Sequence, residues 1–149
     1  MRLAEELLSR SLTPEERAKT LVEKAILHRR GPAADPVKEE AALREAAGLQ
    51  GEDTPAGRET RFQLAWTRGN RGDDREAVDL FDRVASHSAT EPGFRATNRW
   101  EAATRADRLG DRDNARRWYR AFIDENESNS GKWYQVNVAK AKERLKALE

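Results

Sequence analysis

The sequence predicts an all-α fold built from antiparallel helical hairpins, and three observations support this. Apolar residues recur at helical spacing between frequent helix-capping signals. No stretch alternates β-branched or aromatic residues with polar ones in the way that predicts a strand. A Gly-Asp motif with similar flanking residues occurs at Gly72 and again at Gly110. We therefore expect one domain over residues 1–149 in which successive hairpins stack.

The composition limits the classes of function. The chain has 28 basic and 27 acidic residues, and this balance argues against a dedicated nucleic-acid or membrane-surface protein. No apolar run is long enough to span a bilayer, and the first residues do not resemble a secretory signal. Without cysteine, the chain can form no disulfide or thiolate zinc site. We expect a cytoplasmic protein with no cofactor.

The helix boundaries have their own signals. Thr13-Pro14-Glu15-Glu16 has the pattern of a capping box with proline at the first helical position. Asp35-Pro36 and Thr54-Pro55 repeat the cap and proline, Glu91-Pro92 is a weaker version, and glycines 31, 72 and 110 provide helix stops. The predicted helices are 2–11, 14–30, 36–49, 55–71, 74–87, 92–109, 112–126 and 131–148. The short links before residues 74 and 112 predict antiparallel neighbours.

Two stretches of the chain, 71–85 and 109–123, repeat one pattern. In each, an alanine follows the glycine of the Gly-Asp pair, an aromatic residue follows that alanine by one helical turn, and another alanine precedes the glycine by two turns. The matched residues are Ala65, Gly72, Asp73, Ala77 and Phe81 in one copy and Ala103, Gly110, Asp111, Ala115 and Tyr119 in the other. Pro14 to Gly31 has the same spacing as Pro55 to Gly72, which suggests a third, degenerate copy.

This pattern resembles the tetratricopeptide repeat family, in which each repeat is a helix–turn–helix. The resemblance implies a short right-handed superhelix with a cap helix at 1–12, a degenerate repeat at 13–50, repeats at 54–87 and 91–126, and a capping helix at 130–149. Small residues such as Ala65 and Ala103 allow close helix packing. The sequence departs from the family at Arg61, Arg68 and Arg99, which replace apolar residues, and we expect the first helices to be rotated.

Apolar residues at both ends predict end caps. In the last helix, Tyr134, Val138, Ala141, Leu145 and Leu148 form one apolar stripe. At the other end, Leu3, Leu7 and Leu8 are the candidate capping residues. A stacked array needs such caps because each unit covers only its neighbours.

Catalytic and metal-binding motifs are absent from the sequence. It contains no phosphate-binding GxxxxGK[ST], no GxGxxG and no HExxH pattern. We interpret His28 and His87 as surface histidines rather than as ligands or bases. Asp111 and its neighbours faintly resemble a calcium loop but lack its central glycine, and a repeat turn explains them better. We therefore expect no enzymatic activity and no metal site.

The remaining hypothesis is an adaptor or scaffold that binds a partner peptide or helix. In the tetratricopeptide family the first helices line the concave face, so the resemblance implies a partner-binding set on two helices: Glu59, Phe62, Trp66, Asn70, Thr97, Trp100, Thr104 and Arg108. An alternative interpretation of Trp66 and Trp100 is that they belong to the core. Two other functions stay open: nucleic-acid association through the eight arginines of region 95–120, with Trp118 and Tyr119 on the packing face, and self-assembly into a homo-oligomer.

Overall fold

The structure is a computed structural model that describes residues 2–10, 12–30 and 32–149. The capping residues and prolines predicted from the sequence stand at the starts of its helices. Within these ranges it contains eight α-helices and no strand. The helices are α1 (Arg2–Leu8), α2 (Pro14–Arg29), α3 (Pro36–Leu49), α4 (Pro55–Asn70), α5 (Asp74–Ser86), α6 (Pro92–Arg108), α7 (Arg112–Asn126) and α8 (Lys132–Leu148). The all-α prediction is confirmed, although α1 ends at Leu8. Gly31, predicted as a helix stop, lies outside the described residues.

The predicted caps form as local hydrogen bonds. At α2, the Thr13 hydroxyl accepts from the Glu16 N–H at 3.2 Å and the Glu16 carboxylate accepts from the Thr13 N–H at 2.8 Å. Asp35 accepts from two N–H groups of α3, and Thr54 accepts from one of α4. Glu91 precedes α6 without a side-chain capping bond, so it is the weaker cap that the sequence indicates.

Two glycines take the left-handed backbone conformation where helices end. Gly72 has φ of 89° and Gly110 has φ of 74°. A residue with a Cβ atom is strained in this region, which explains why glycine stands at both positions. A third glycine is required for space, because a Cβ at Gly57 would clash with the carbonyl oxygen of Gly51.

The chain forms two compact units. Unit 1 spans Met1–Asp73 and contains α1 to α4, and unit 2 spans Asp74–Glu149 and contains α5 to α8. In unit 1, α2 packs on α1 and α3, and α3 packs on α4. In unit 2, α5 packs on α6, α6 on α7, and α7 on α8. The predicted α6–α7 hairpin is therefore present, whereas the predicted pairing of 55–71 with 74–87 falls across the boundary between the units.

Helices α6 and α8 lie beside each other in unit 2 and run in the same direction. Near the start of both, a Cβ at Gly93 would lie 3.5 Å from the Tyr134 hydroxyl oxygen. Near their ends, Arg144 donates to Asp107 at 2.8 Å and 2.9 Å. The two helices therefore form one layer, and α7 packs against both. In a helical repeat this is the arrangement expected of successive first helices.

The alanines of the repeat pattern are core residues. Ala65, Ala77, Ala103 and Ala115 are each 0% exposed. A methyl group is the largest side chain that lets two helices approach at the short end of the usual 8–10 Å separation. Their complete burial confirms the prediction that these four alanines are core residues.

The two predicted caps differ in outcome. In α8, Val138, Ala141 and Leu148 are buried and the predicted stripe is confirmed. In α1 the prediction for Leu3 is wrong, because it is 69% exposed and Ala4 is the buried residue. Helix α1 has only seven residues, so one short face contacts α2 and Leu3 lies off that face.

Candidate protein-binding site

The predicted partner-binding residues divide between the two units. Glu59, Phe62, Trp66 and Asn70 are on α4 of unit 1, and Thr97, Trp100, Thr104 and Arg108 are on α6 of unit 2. Each set is therefore part of a different unit.

On α4, the two aromatic residues form a pair. Phe62 and Trp66 are one turn apart, both half-buried, with ring centroids 6.3 Å apart at an interplanar angle of 83°. Such edge-to-face contact is a favoured aromatic geometry. Glu59 is exposed and accepts from the Gln63 amide at 2.8 Å, and Asn70 is exposed at the end of the helix. The α4 set thus combines a half-buried aromatic pair with polar residues at both ends.

On α6, Trp100 is the central residue of the predicted set. Its ring centroid lies 6.0 Å from that of Tyr119 and 5.4 Å from that of Phe122, both on α7. Tyr119 is 2% exposed and Phe122 is 0% exposed, whereas Trp100 is half-buried. The ring of Trp100 therefore rests on the core and keeps an exposed part.

The other members of the α6 set have intramolecular partners. The Thr97 hydroxyl donates to the Gly93 carbonyl at 3.3 Å, and the Thr104 hydroxyl donates to the Trp100 carbonyl at 3.0 Å. The Arg108 side chain is 61% exposed and lies 3.2 Å from an Asp74 carboxylate oxygen. Of the polar residues in this set, only Arg108 presents a charged group to solvent.

Trp133, at the start of α8, belongs to the same surface and was missed by the sequence prediction. Its ring centroid lies 5.9 Å from that of Phe122 and 5.0 Å from that of Tyr134, and the residue is 42% exposed. The aromatic cluster of unit 2 is thus Trp100, Tyr119, Phe122, Trp133 and Tyr134. Trp133 directly precedes Tyr134, the first residue of the apolar stripe of α8, but is not itself on the stripe. A tryptophan beside the stripe was the signal from which the sequence could have predicted it.

The three arginines that depart from the family pattern anchor helices to one another. Arg61 of α4 donates to carbonyl oxygens of Ala47 and Gln50 at the end of α3, at 3.2 Å and 3.1 Å. Arg68 donates to both carboxylate oxygens of Glu40. Such bonds to charged groups are stronger than neutral ones.

Arg99 has the same role in unit 2. Its guanidinium is 3.4 Å from carboxylate oxygens of both Asp82 and Glu125, on α5 and α7. The Asp82 carboxylate also accepts from the indole N–H of the buried Trp118 at 2.9 Å. One carboxylate therefore holds an arginine and a core tryptophan in place.

All eight arginines of region 95–120 contact their own chain. The carbonyls and carboxylates involved belong to His87, Ser88 and Thr90 for Arg95, Asp82 for Arg99 and Arg117, Asp74 for Arg105 and Arg108, Leu148 for Arg112 and Arg116, and Glu149 for Arg120. Trp118 and Tyr119 are buried, as predicted. Phosphate binding by this region would exchange these contacts for new ones.

A hydrogen-bonded network joins α6, α7 and α8 in unit 2. The Asp107 carboxylate accepts from Arg144 and, at 3.2 Å, from the Tyr119 hydroxyl. The hydrogen bond from Arg144 outweighs burial and lowers the pKa of Asp107 below its usual value. Burial, and then the Asp107 charge, raise the pKa of Tyr119 far above its usual value. The network is therefore ionised at Asp107 and neutral at Tyr119.

The pKa of Glu101, on the same helix as Asp107, is shifted in the opposite direction. Burial raises its pKa, and this outweighs the lowering influence of the nearby Arg105 and Arg108 guanidinium groups. Its carboxylate lies 3.4 Å from Arg105.

The interpretation of His28 as a surface residue is wrong. It is 3% exposed, since the last turn of α2 packs on α3 and the backbone N–H of Asp35 bonds to the His28 carbonyl at 2.9 Å. His87 is partly exposed, and its Nδ1 accepts from the Ala89 N–H at 3.2 Å.

Among the residues that the structure describes, no group of three or more His, Cys, Asp or Glu side chains is placed to hold a metal ion. Asp111 caps α7, so it belongs to the repeat turn.

Comparisons with known proteins add no assignment. No protein-family model matches the chain, and no curated protein matches its sequence. None of the described helices has both the length and the apolar character needed to cross a membrane.

Proposed function

We propose that the protein is a binding module that docks a segment of a partner protein, without a cofactor and without catalysing a reaction. The docking surface is the exposed side of the aromatic cluster on α6 and α8, with Trp100 and Trp133 as the contact residues. The observation that carries this proposal is that the exposed Trp133 and the half-buried Trp100 both rest on the fully buried Phe122.

Rings held in this way suit recognition for two reasons. Tryptophan and arginine are the residues most enriched among interface positions that dominate binding energy, and Arg108 is exposed on the same helix as Trp100. A ring already fixed by its neighbours loses little conformational freedom when a partner binds. The surface is therefore preformed, and most of the conformational freedom lost on binding is lost by the partner segment.

The half-buried pair Phe62 and Trp66 on α4 supports a second contact region in unit 1. In the tetratricopeptide family, which the repeat pattern resembles, partner segments bind along the first helices, and α4 and α6 are the first helices of the two copies. The cysteine-free sequence is in keeping with a cytoplasmic module of this kind.

The proposal is tested by comparing wild type with Trp133→Ser in a quantitative pull-down from cell extract, followed by binding assays with each recovered protein. Loss of an interface tryptophan costs about 2 kcal/mol, so the affinity for the true partner should fall roughly 30-fold. Leu109→Ser is the matched control, because Leu109 is an apolar residue that is 44% exposed at the α6–α7 turn and is not a member of the aromatic cluster. Circular dichroism checks that both variants fold.

Equal binding by wild type and Trp133→Ser would overturn the proposal. Recovery of nucleic acid with affinity that falls steeply with salt would favour the arginine-rich alternative. A molecular mass that rises with concentration and returns to the monomer value in Trp133→Ser would identify the partner as a second copy of the chain.

A further inference from the structure

A cavity of about 170 Å3 lies between α2 and α3 in unit 1. Its wall includes Lys24 and His28 from α2, and Lys38 and Glu45 from α3. A water molecule occupies about 30 Å3 of liquid volume, so the cavity is large enough for several waters or one small molecular anion. None of these four residues belongs to the aromatic surface of unit 2.

His28 is the unusual member of this wall. Its side chain is almost completely buried, and its Nε2 atom has no hydrogen-bond partner among the described residues. Buried polar atoms in folded proteins nearly always have a partner, because leaving one unsatisfied is destabilising. In the tautomer with a proton on Nε2, the missing partner is an acceptor oxygen.

The charges around the cavity favour an anion. Glu45 is already neutralised by Arg17, whose Nε lies 2.9 Å from its carboxylate. Lys24 forms no ion pair within the described part of the chain, and Lys38 is 3.4 Å from Asp35. Asp35 in turn accepts backbone hydrogen bonds at the start of α3. The remaining local charge is therefore positive.

We propose that this cavity binds a small anion through phosphate or carboxylate oxygens. The ammonium groups of Lys24 and Lys38 supply the charge, and His28 supplies a hydrogen-bond donor. The ligand is held between α2 and α3, so its binding stabilises unit 1. This inference does not rest on the proposed docking function, since the two sites use different residues of different units.

Nuclear magnetic resonance of the two histidine rings tests the site. The sequence has only His28 and His87, so the Cε1–Hε1 region contains two signals. We expect titration with inorganic phosphate, at fixed pH and with chloride replaced to hold ionic strength, to shift the His28 signal saturably and leave the His87 signal unchanged. A parallel titration with succinate shows whether phosphate or carboxylate oxygens are the better ligand.

The variant K24A/K38A should weaken the binding about tenfold or more, because it removes both positive charges. The control K140A/K146A removes two exposed lysines of α8 and should bind as wild type does. A His28 signal that shifts only linearly with both anions would overturn the proposal. Binding by K24A/K38A with unchanged affinity would also overturn it.

Discussion

The carboxylate of Asp107 is predicted to stabilise the protein at neutral pH and to lose this effect in acid. It accepts two hydrogen bonds from the Arg144 guanidinium, at 2.8 Å and 2.9 Å, and one from the Tyr119 hydroxyl. Because these bonds favour the ionised form, the pKa of Asp107 is lower in the folded than in the unfolded chain. Stability from this group is therefore present above about pH 4, the usual aspartate pKa, and disappears as the pH falls through the folded-state pKa.

The magnitude follows from the geometry. A hydrogen bond between charged groups contributes about 1.5–3 kcal/mol, but Arg144 is 50% exposed and solvent weakens the interaction. We therefore expect Asp107→Asn to lower the free energy of unfolding by about 1–2 kcal/mol at pH 7. At pH 3 the difference between variant and wild type should be smaller, because Asp107 of the unfolded chain is then mostly protonated and the stabilisation from its ionised form in the folded state declines.

Urea unfolding followed by circular dichroism, repeated between pH 3 and pH 7, measures this difference. Asp124→Asn is the control, since Asp124 is exposed on α7 and should show little difference at any pH. Glu101→Gln should behave in the opposite way to Asp107→Asn. Burial raises the pKa of Glu101, so its ionisation destabilises the folded state as the pH rises, and glutamine removes that loss. A destabilisation by Asp107→Asn that is independent of pH would refute the reasoning.

Three further predictions concern packing. Ala103→Leu should destabilise by about 1–3 kcal/mol in urea unfolding because Ala103 is 0% exposed, whereas Ala139→Leu, at an exposed site of α8, should be nearly neutral. Gly48→Ala should stabilise the protein by about 0.5–1 kcal/mol, since a Cβ there meets no atom within 4 Å. Gly57→Ala should destabilise it, because a Cβ there clashes with the Gly51 carbonyl. Equal effects of the two substitutions would contradict the close backbone contact at the start of α4. Deleting α8 should expose Phe122 and broaden the thermal transition, and an unchanged transition would show that α8 is not a cap.

The helices were predictable from the sequence because their signals are local. The capping box at Thr13 and Glu16 needs only four consecutive residues, and the stops at Gly72 and Gly110 need only one backbone angle each. The burial of Ala103 was also predictable, since a small residue repeated at fixed spacing marks close helix contact.

The candidate site was less predictable because it depends on neighbours that are distant in the sequence. Helical spacing placed Trp100 on a surface of α6, but its half-burial is set by Tyr119 and Phe122 of α7. Trp133 enters the same cluster from α8, next to the stripe that periodicity identifies. The burial of His28 likewise depends on how α3 packs against the last turn of α2, which its sequence neighbours do not indicate.

The high proportion of charged residues is explained in part by arginines that pack in the interior. Arg58 and Arg105 are 6% and 4% exposed, so their aliphatic stems lie in the packed interior while their guanidinium groups reach a carbonyl and a carboxylate. Arg105 also stacks over the buried Phe81 at 5.3 Å from the ring centroid. Arginine thus takes positions that apolar residues would otherwise fill, which explains how a chain that is only 37% hydrophobic forms its cores. Because Arg58 and Arg105 are engaged within the protein, the docking that we propose depends on other residues, chiefly Trp133 and the exposed part of Trp100.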